Sequence, residues 1–310
     1  MSFAETCREE LTKIRLHSRD ERLSQLIGLT VTAGGIRLFR KPSVFYQTES
    51  LTVAKHIAAL AVSDYTLDSV LEQKQRENRS RPMYVVHLSG ADTADYLTET
   101  GALTYGTEGV QMLSEVPSVV GAKDETQRAF LRGCFLGGGT CVDPKRSYQL
   151  EMICRAESVA KRMVELIEAY RLHPRITTRK ERYVVYMKGG DDVTGFLALI
   201  GANTAVLSLE SVRAEKDMRN YINRTSNCET ANLDKQVIAS LKQRAAIRTI
   251  QNMGKWNDLP DSLREAAELR LNYPDATLEQ LAELAGIRKS GMNHRFARLL
   301  SFAQTLEENG

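Results

Sequence analysis

Leu131-Arg132-Gly133-Cys134-Phe135-Leu136-Gly137-Gly138-Gly139 reads as a helix shaped to meet another helix. Gly133 and Gly137 lie four residues apart and share one face. Without side chains there, a partner helix can come close. Nine residues are a weak signal alone, so a second copy is the natural thing to seek. Leu23-Ser24-Gln25-Leu26-Ile27-Gly28-Leu29-Thr30 has the same apolar rhythm. Other segments recur about one hundred residues apart, as an internal duplication would produce. Val53-Ala54-Lys55 returns as Val159-Ala160-Lys161, and Tyr84-Val85-Val86 as Tyr183-Val184-Val185. Leu97, Gly101 and Ala102 return as Leu197, Gly201 and Ala202.

The two stretches resemble degenerate copies of the LAGLIDADG motif, the helix that pairs the halves of a homing endonuclease. In an active nuclease of that kind, the next-to-last motif position carries the acid that binds the catalytic metal. The apolar rhythm places Thr30 and Gly138 at those positions. The resemblance therefore implies the scaffold of a DNA-cutting enzyme without its carboxylates. Asp143 lies five residues beyond Gly138, in a stretch that reads as a turn. A helix pair that only joins two halves is the expected role.

Composition narrows the class. At 310 residues the chain can hold two or three domains with cores of their own. A charged fraction of 26% beside 42% hydrophobic residues fits an ordinary soluble protein. No apolar run approaches the ~18 residues of a membrane span. Met1-Ser2-Phe3-Ala4-Glu5-Thr6 has no basic opening and no apolar segment, so no signal peptide is read and a cytoplasmic location is expected. The five cysteines are odd in number, widely spread and without a C-x-x-C pair, which predicts reduced thiols and no zinc site. There is no P-loop, Rossmann glycine pattern or His-Glu metal helix. No metal, cofactor or small-molecule substrate is expected. A net charge of +3 does not by itself argue for nucleic acid. Its distribution says more: Arg288 to Leu300 holds four basic residues, one histidine and no acid.

The expected architecture is α+β. A pseudo-twofold domain (helix, two strands, helix, two strands, helix, repeated) covers 1–205, with halves at about 1–105 and 123–205. The glycine-rich residues 101–122 read as the irregular join, Asn78-Arg79-Ser80-Arg81-Pro82 as a turn, and Asp124 as the cap of the second motif helix. A helical connector covers 206–254, read as two helices at 204–226 and 229–252. An all-α helix-turn-helix unit covers 255–305. In it, one helix spans 261–273 and Thr277 caps the next. Gly286 supplies the turn, with small Ala282 four residues before it. The third helix starts near Ser290, with Met292, Phe296, Leu299 and Leu300 toward the core. Trp256, the sole tryptophan, is expected to anchor the linker to this core.

At this point the chain resembles the WhiA family of bacterial sporulation and cell-division regulators along nearly its whole length. The connector carries the sharpest likeness: Asp217-Met218-Arg219-Asn220-x-x-Asn223-Arg224-x-x-Asn227-Cys228-Glu229-x-Ala231-Asn232-Leu233. Lys289-Ser290-Gly291-Met292-Asn293-His294-Arg295 and Ser2-Phe3-Ala4 also resemble the family. Gly28-Leu29-Thr30 departs from it in being more apolar. The resemblance implies a sequence-specific, non-catalytic DNA-binding transcription regulator linked to cell division, chromosome segregation or sporulation. Its implied partner is double-stranded DNA, and its place the cytoplasmic nucleoid. A second transcription or division protein would bind through the N-terminal domain. Two other readings stand beside it, an endonuclease with rearranged acids and a protein-interaction scaffold.

The DNA-binding residues expected of the helix-turn-helix are Thr277, Lys289, Ser290, Asn293, His294, Arg295 and Arg298. Arginine pairs with guanine or phosphate and asparagine with adenine, while residues at the helix start hold backbone phosphate. A polar-faced helical bundle is the plainer alternative. Arg175, Thr177 and Arg179 alternate on one strand face, as groove contacts or as a solvated basic strand. Arg219, Asn220, Asn223, Arg224 and Asn227 fit either an interdomain hydrogen-bond network or a DNA backbone contact. The interdomain role is the first expectation.

Overall fold

In the computed structural model, residues 2–38, 42–75, 82–106, 109–112 and 116–309 are described. The Asn78–Arg81 part of the expected turn lies outside them. The chain forms two compact units, Met1–Lys216 and Asp217–Gly310.

The first unit is built on the two motif helices. Helix α1 (Phe3–Leu11) precedes α2 (Arg19–Ala33), which is followed by β1 (Gly34–Arg37), β2 (Ser43–Thr48), α3 (Leu51–Asp64), β3 (Leu67–Lys74), β4 (Met83–Gly90) and α4 (Thr93–Glu99). After β5 (Leu103–Gly106) and β6 (Gly109–Met112), the same order returns: α5 (Asp124–Gly138), β7 (Gly139–Cys141), β8 (Gln149–Cys154), α6 (Glu157–Glu168), β9 (Arg175–Arg179), β10 (Arg182–Lys188) and α7 (Gly190–Ile200). The two main sheets have matching antiparallel orders, β1-β2-β4-β3 and β7-β8-β10-β9. Duplication read from short matches is thus present in the topology. The join is less irregular than expected, because β5 and β6 pair and a short 3-10 turn spans Ser118–Gly121.

Glycine sets the distance between α2 and α5. A Cβ on Gly28 would stand 2.2 Å from the Phe130 carbonyl oxygen, and one on Gly133 would stand 2.2 Å from that of Gln25. The two contacts are mirror statements of one pseudo-twofold axis, since the pairs Gly28/Gly133 and Gln25/Phe130 share one offset along the chain. Around this contact Leu26, Ile27, Leu29, Phe130, Leu131 and Phe135 are fully buried and continue into one core with both sheets.

Local details depart from the sequence reading for simple reasons. Helix α1 stops at Leu11, short of the helix that the apolar spacing predicts over 3–16, and α2 starts anew after Ser18, whose hydroxyl accepts the Glu21 amide at 3.2 Å. Such a cap sits in extended geometry and fixes where the new helix begins. Asp124 is the first residue of α5 and not its cap; Lys123 holds that place, and its amide donates to Thr126 Oγ1. The first strand, predicted over 36–40, begins at Gly34, and the first strand of the second half, which the repeat implies without placing, is the short β7 at Gly139–Cys141.

Helix α8 (Asn203–Asn252) is continuous where two helices were expected. No proline or glycine interrupts it, and the asparagines near 227 cost too little to break it. Its first turns place Ala205 and Leu209 in the first core. Its last turns place Ala246, Ile247 and Ile250 in the core of the second unit. That core continues through α9 (Asp261–Asn272), α10 (Leu278–Leu284) and α11 (Lys289–Asn309), with Trp256 packed against it. Among the described residues, no helix is long and apolar enough to cross a membrane.

Candidate nucleic-acid interface

The helix-turn-helix is assembled by local chemistry. Thr277 Oγ1 accepts the Gln280 amide at 3.2 Å, and Gln280 Oε1 accepts the Thr277 amide at 2.8 Å. This reciprocal cap satisfies two donors at the start of α10. The Thr277 hydroxyl, expected to face DNA, serves the cap as an acceptor and keeps its own O–H to donate. Gly286 ends α10 at φ +63, in the left-handed region, and the Ile287 amide returns to the Ala282 carbonyl at 2.9 Å. Ala282 is buried, as a tight turn requires.

Helix α11 buries Met292, Phe296, Leu299 and Ala303, spaced 4-3-4. Leu300, read from sequence as core, lies off that stripe and is 37% exposed. Ser290, Asn293, His294 and Arg298 are exposed, with Arg288 and Lys289 at the start of the helix. Arg288, His294 and Arg298 have no ion pair among the described residues. Two of the expected contacts are already engaged. Lys289 Nζ pairs with Glu279 at 3.3 Å. Arg295 donates to Glu265 at 2.7 Å, and its side chain is only 20% exposed. Arg295 therefore ties α11 to α9, a role its sequence position did not reveal.

Arg270 was missed by the sequence reading. It is 2% exposed and donates to Gln243 Oε1 at 2.9 Å and to the Ala276 carbonyl at 2.7 Å. Its guanidinium also lies over the Phe296 ring at 5.4 Å. One side chain thus joins α8, the loop before α10, and α11. Burial lowers its pKa from the ordinary value, and nearby Arg244 adds to that. The helical periodicity of Leu263, Ala266, Ala267 and Arg270 was the available signal, since it puts the arginine on the apolar face.

In the first unit, the motif position expected to hold an acid needs one correction. Helices α2 and α5 are each 15 residues long, and each ends at a glycine. The Gly34 amide donates to the Thr30 carbonyl, and the Gly139 amide to the Phe135 carbonyl. Superposing these ends puts Ala33 opposite Gly138, so Thr30 was read three residues early. Thr30 instead sits in the core, its hydroxyl 2.6 Å from the Tyr46 hydroxyl, which continues to Tyr96. Ala33 and Gly138 carry no carboxylate, and Gly138 has no room for one. A Cβ there would stand 2.6 Å from the Ile153 carbonyl oxygen and 3.0 Å from Thr32 Cβ. Arg8 Nη2 donates to the Gly139 carbonyl at 2.6 Å, which puts a guanidinium at that helix end. Asp143 is exposed and accepts the Lys145 amide within its own turn. These residues do not fit the divalent cation of an active motif, which needs clustered hard oxygen ligands.

On the second sheet, Arg175, Thr177 and Arg179 are exposed along β9, with Tyr186, Val184 and Arg182 as their register partners. Glu151 takes up Arg179 at 3.3 Å, so the strip is less basic than its sequence. Arg175 lines a cavity of 160 Å³ with His173, Tyr186, Lys188 and Asp192. Arg219, Asn220, Asn223, Arg224 and Asn227 are all exposed on α8.

Comparison with known proteins places both units. Residues 127–219 match the model of the WhiA LAGLIDADG-like domain, and residues 222–303 match that of the WhiA C-terminal HTH domain. The chain is 34% identical to a probable cell division protein WhiA of Clostridium acetobutylicum, over 100% of both chains. It is 37% identical to the corresponding Heliobacterium modesticaldum protein, over 100% of this chain and 98% of that one. A crystal structure of full-length DUF199/WhiA from Thermatoga maritima shares the fold at a TM-score of 0.62 and 20% identity, covering 98% of this chain and 99% of that one.

Proposed function

The chain belongs to the WhiA family, and from that premise we propose that it is a DNA-binding transcription regulator that does not cut DNA. Cell division, chromosome segregation and sporulation are the processes this proposal covers. The observation that carries it is the outer face of α11. Ser290, Asn293, His294 and Arg298 stand exposed on a helix presented by a capped turn, with Arg288 and Lys289 at its start. A helix of this size fits a major groove. Asn293 there meets an adenine edge, and Arg298 a guanine edge or a phosphate. Arg288, Lys289 and Ser290 lie at the positive end of the helix dipole, where phosphate is held. Lys289 must first exchange Glu279 for phosphate, a small cost for an exposed pair.

The LAGLIDADG-like unit acts in this reading as a platform and not as a nuclease. It supports DNA binding from its basic strand β9 or holds a transcription or division protein. The proposed setting is the nucleoid, in the cytoplasm.

The test is selection of random genomic fragments by the full chain with magnesium present, against an Asn293→Ala/Arg298→Ala variant. The proposal expects particular fragments to be enriched by the unaltered protein, recovered at full length, and lost by the variant. Shortened fragments would restore the nuclease reading. Equal enrichment by both proteins would remove α11 as the reading element.

A further inference from the structure

One face of α8 is not used by the function proposed above. It carries Arg219, Asn220, Asn223, Arg224 and Asn227, all exposed. At about 100° per residue these five fall within roughly 140° of arc. Arg219, Asn223 and Asn227 form one row, and Asn220 and Arg224 the next. None of the five side chains has a hydrogen bond or ion pair among the described residues of Asp217–Gly310. No acid occurs between Arg219 and Asn227. An idle solvated helix has no use for this composition, because asparagine is a poor helix former and no ion pair along the face compensates. The groups that are present are two guanidinium forks and three carboxamides, which hydrogen-bond to phosphates and base edges. From Arg219 to Asn227 the row runs about 12 Å, a length that fits along a groove.

We propose that this face of α8 is a second contact for double-stranded DNA, separate from the contact made by α11. The inference rests on the DNA-binding reading. Its charge supports that ligand: two cations on a stretch without an acid of its own suit a polyanion.

Cys228 provides the test, because it is the exposed cysteine next to Asn227 while Cys7, Cys134, Cys141 and Cys154 are buried. Burial also pushes the thiols of Cys7, Cys141 and Cys154 up to about 12, which keeps them unreactive. An iron chelate attached to Cys228 of the full chain cuts any DNA backbone beside it. With an enriched genomic fragment bound, the expected result is a cluster of cuts outside the bases protected by α11. Arg219→Ala/Arg224→Ala, which improves helix propensity and leaves the cores alone, should lower affinity about 10-fold at 0.15 M salt. It should also reduce the salt slope by about two. The ranking of fragments should not change. A bound fragment left uncut, with the double variant equal to the unaltered protein in affinity and slope, would overturn this inference alone and assign the stripe to protein contacts. Failure of the unaltered protein to bind DNA would overturn the functional proposal as well.

Discussion

Gly28 and Gly133 show how much of this fold depends on single atoms. Each would press a Cβ to 2.2 Å from a facing carbonyl oxygen, a contact that neither backbone can relieve by rotating a side chain. Gly133→Ala is expected to cost roughly 3 kcal/mol in urea unfolding. The Gly138 position gives a sharper test of lost chemistry. Gly138→Asp restores the motif's acid in sequence, yet the Cβ meets Ile153 O and Arg8 stands at the helix end. The substitution should lower thermal stability and leave magnesium binding undetectable by calorimetry; a measurable magnesium site would contradict the account. His56 gives the pH dependence. Burial first, and nearby Arg132 second, lower its pKa from 6.5 to about 4. Neutral His56 accepts the side-chain N–H of Gln25 at Nε2, 3.2 Å away. The unfolded chain takes up the proton more readily, so this contribution is complete above about pH 6.5 and is lost as pH falls toward 4. The loss is on the order of 3 kcal/mol, and His56→Gln should flatten it in urea titrations at pH 7 and pH 4.5.

At the scale of elements, legibility followed periodicity. The helices α3, α6, α7 and α9, predicted at about 50–63, 156–170, 190–200 and 261–273, and the paired strands β8 and β10, predicted at 147–154 and 182–188, lie within a few residues of those places. Their apolar positions repeat cleanly, and Ser50 and Thr277 mark starts. What stayed hidden was set by partners distant in sequence. The motif frame in α2 was misjudged because its apolar run is nearly continuous, and only the glycine contacts with α5 fix it. Arg295 looked solvent-facing from its spacing, but Glu265, 30 residues earlier, draws it in. Arg270 is the strongest case: its spacing puts it on the apolar face of α9, but its acceptors on α8 and in the loop before α10 are set by the tertiary fold. Arg270→Met should destabilise the second unit by about 3 kcal/mol, since the Gln243 and Ala276 acceptors then lose their donor. The loss should appear as reduced amide protection in α10 and α11 in hydrogen exchange, with α2 and α5 unchanged.

For the whole molecule, duplication was legible because the small matches kept one order, and that order reappears as two sheets of the same strand sequence. The unit boundary was not, because helical periodicity passes through Lys216–Asp217 without a break. The site residues divide in the same way. Ser290, Asn293, His294 and Arg298 stand exposed as their spacing implied, whereas Lys289 and Arg295 already have partners. A LAGLIDADG-like unit without carboxylates at its motif positions, joined to a helix-turn-helix proposed to read DNA, is the central claim. A nuclease-protection footprint of the full chain on an enriched fragment, with magnesium present and strand integrity read on the same gel, tests it most directly. The account predicts protected bases over intact strands, with the protection lost for Asn293→Ala/Arg298→Ala. Strand scission by the protein itself, or protection unchanged in that variant, would contradict it.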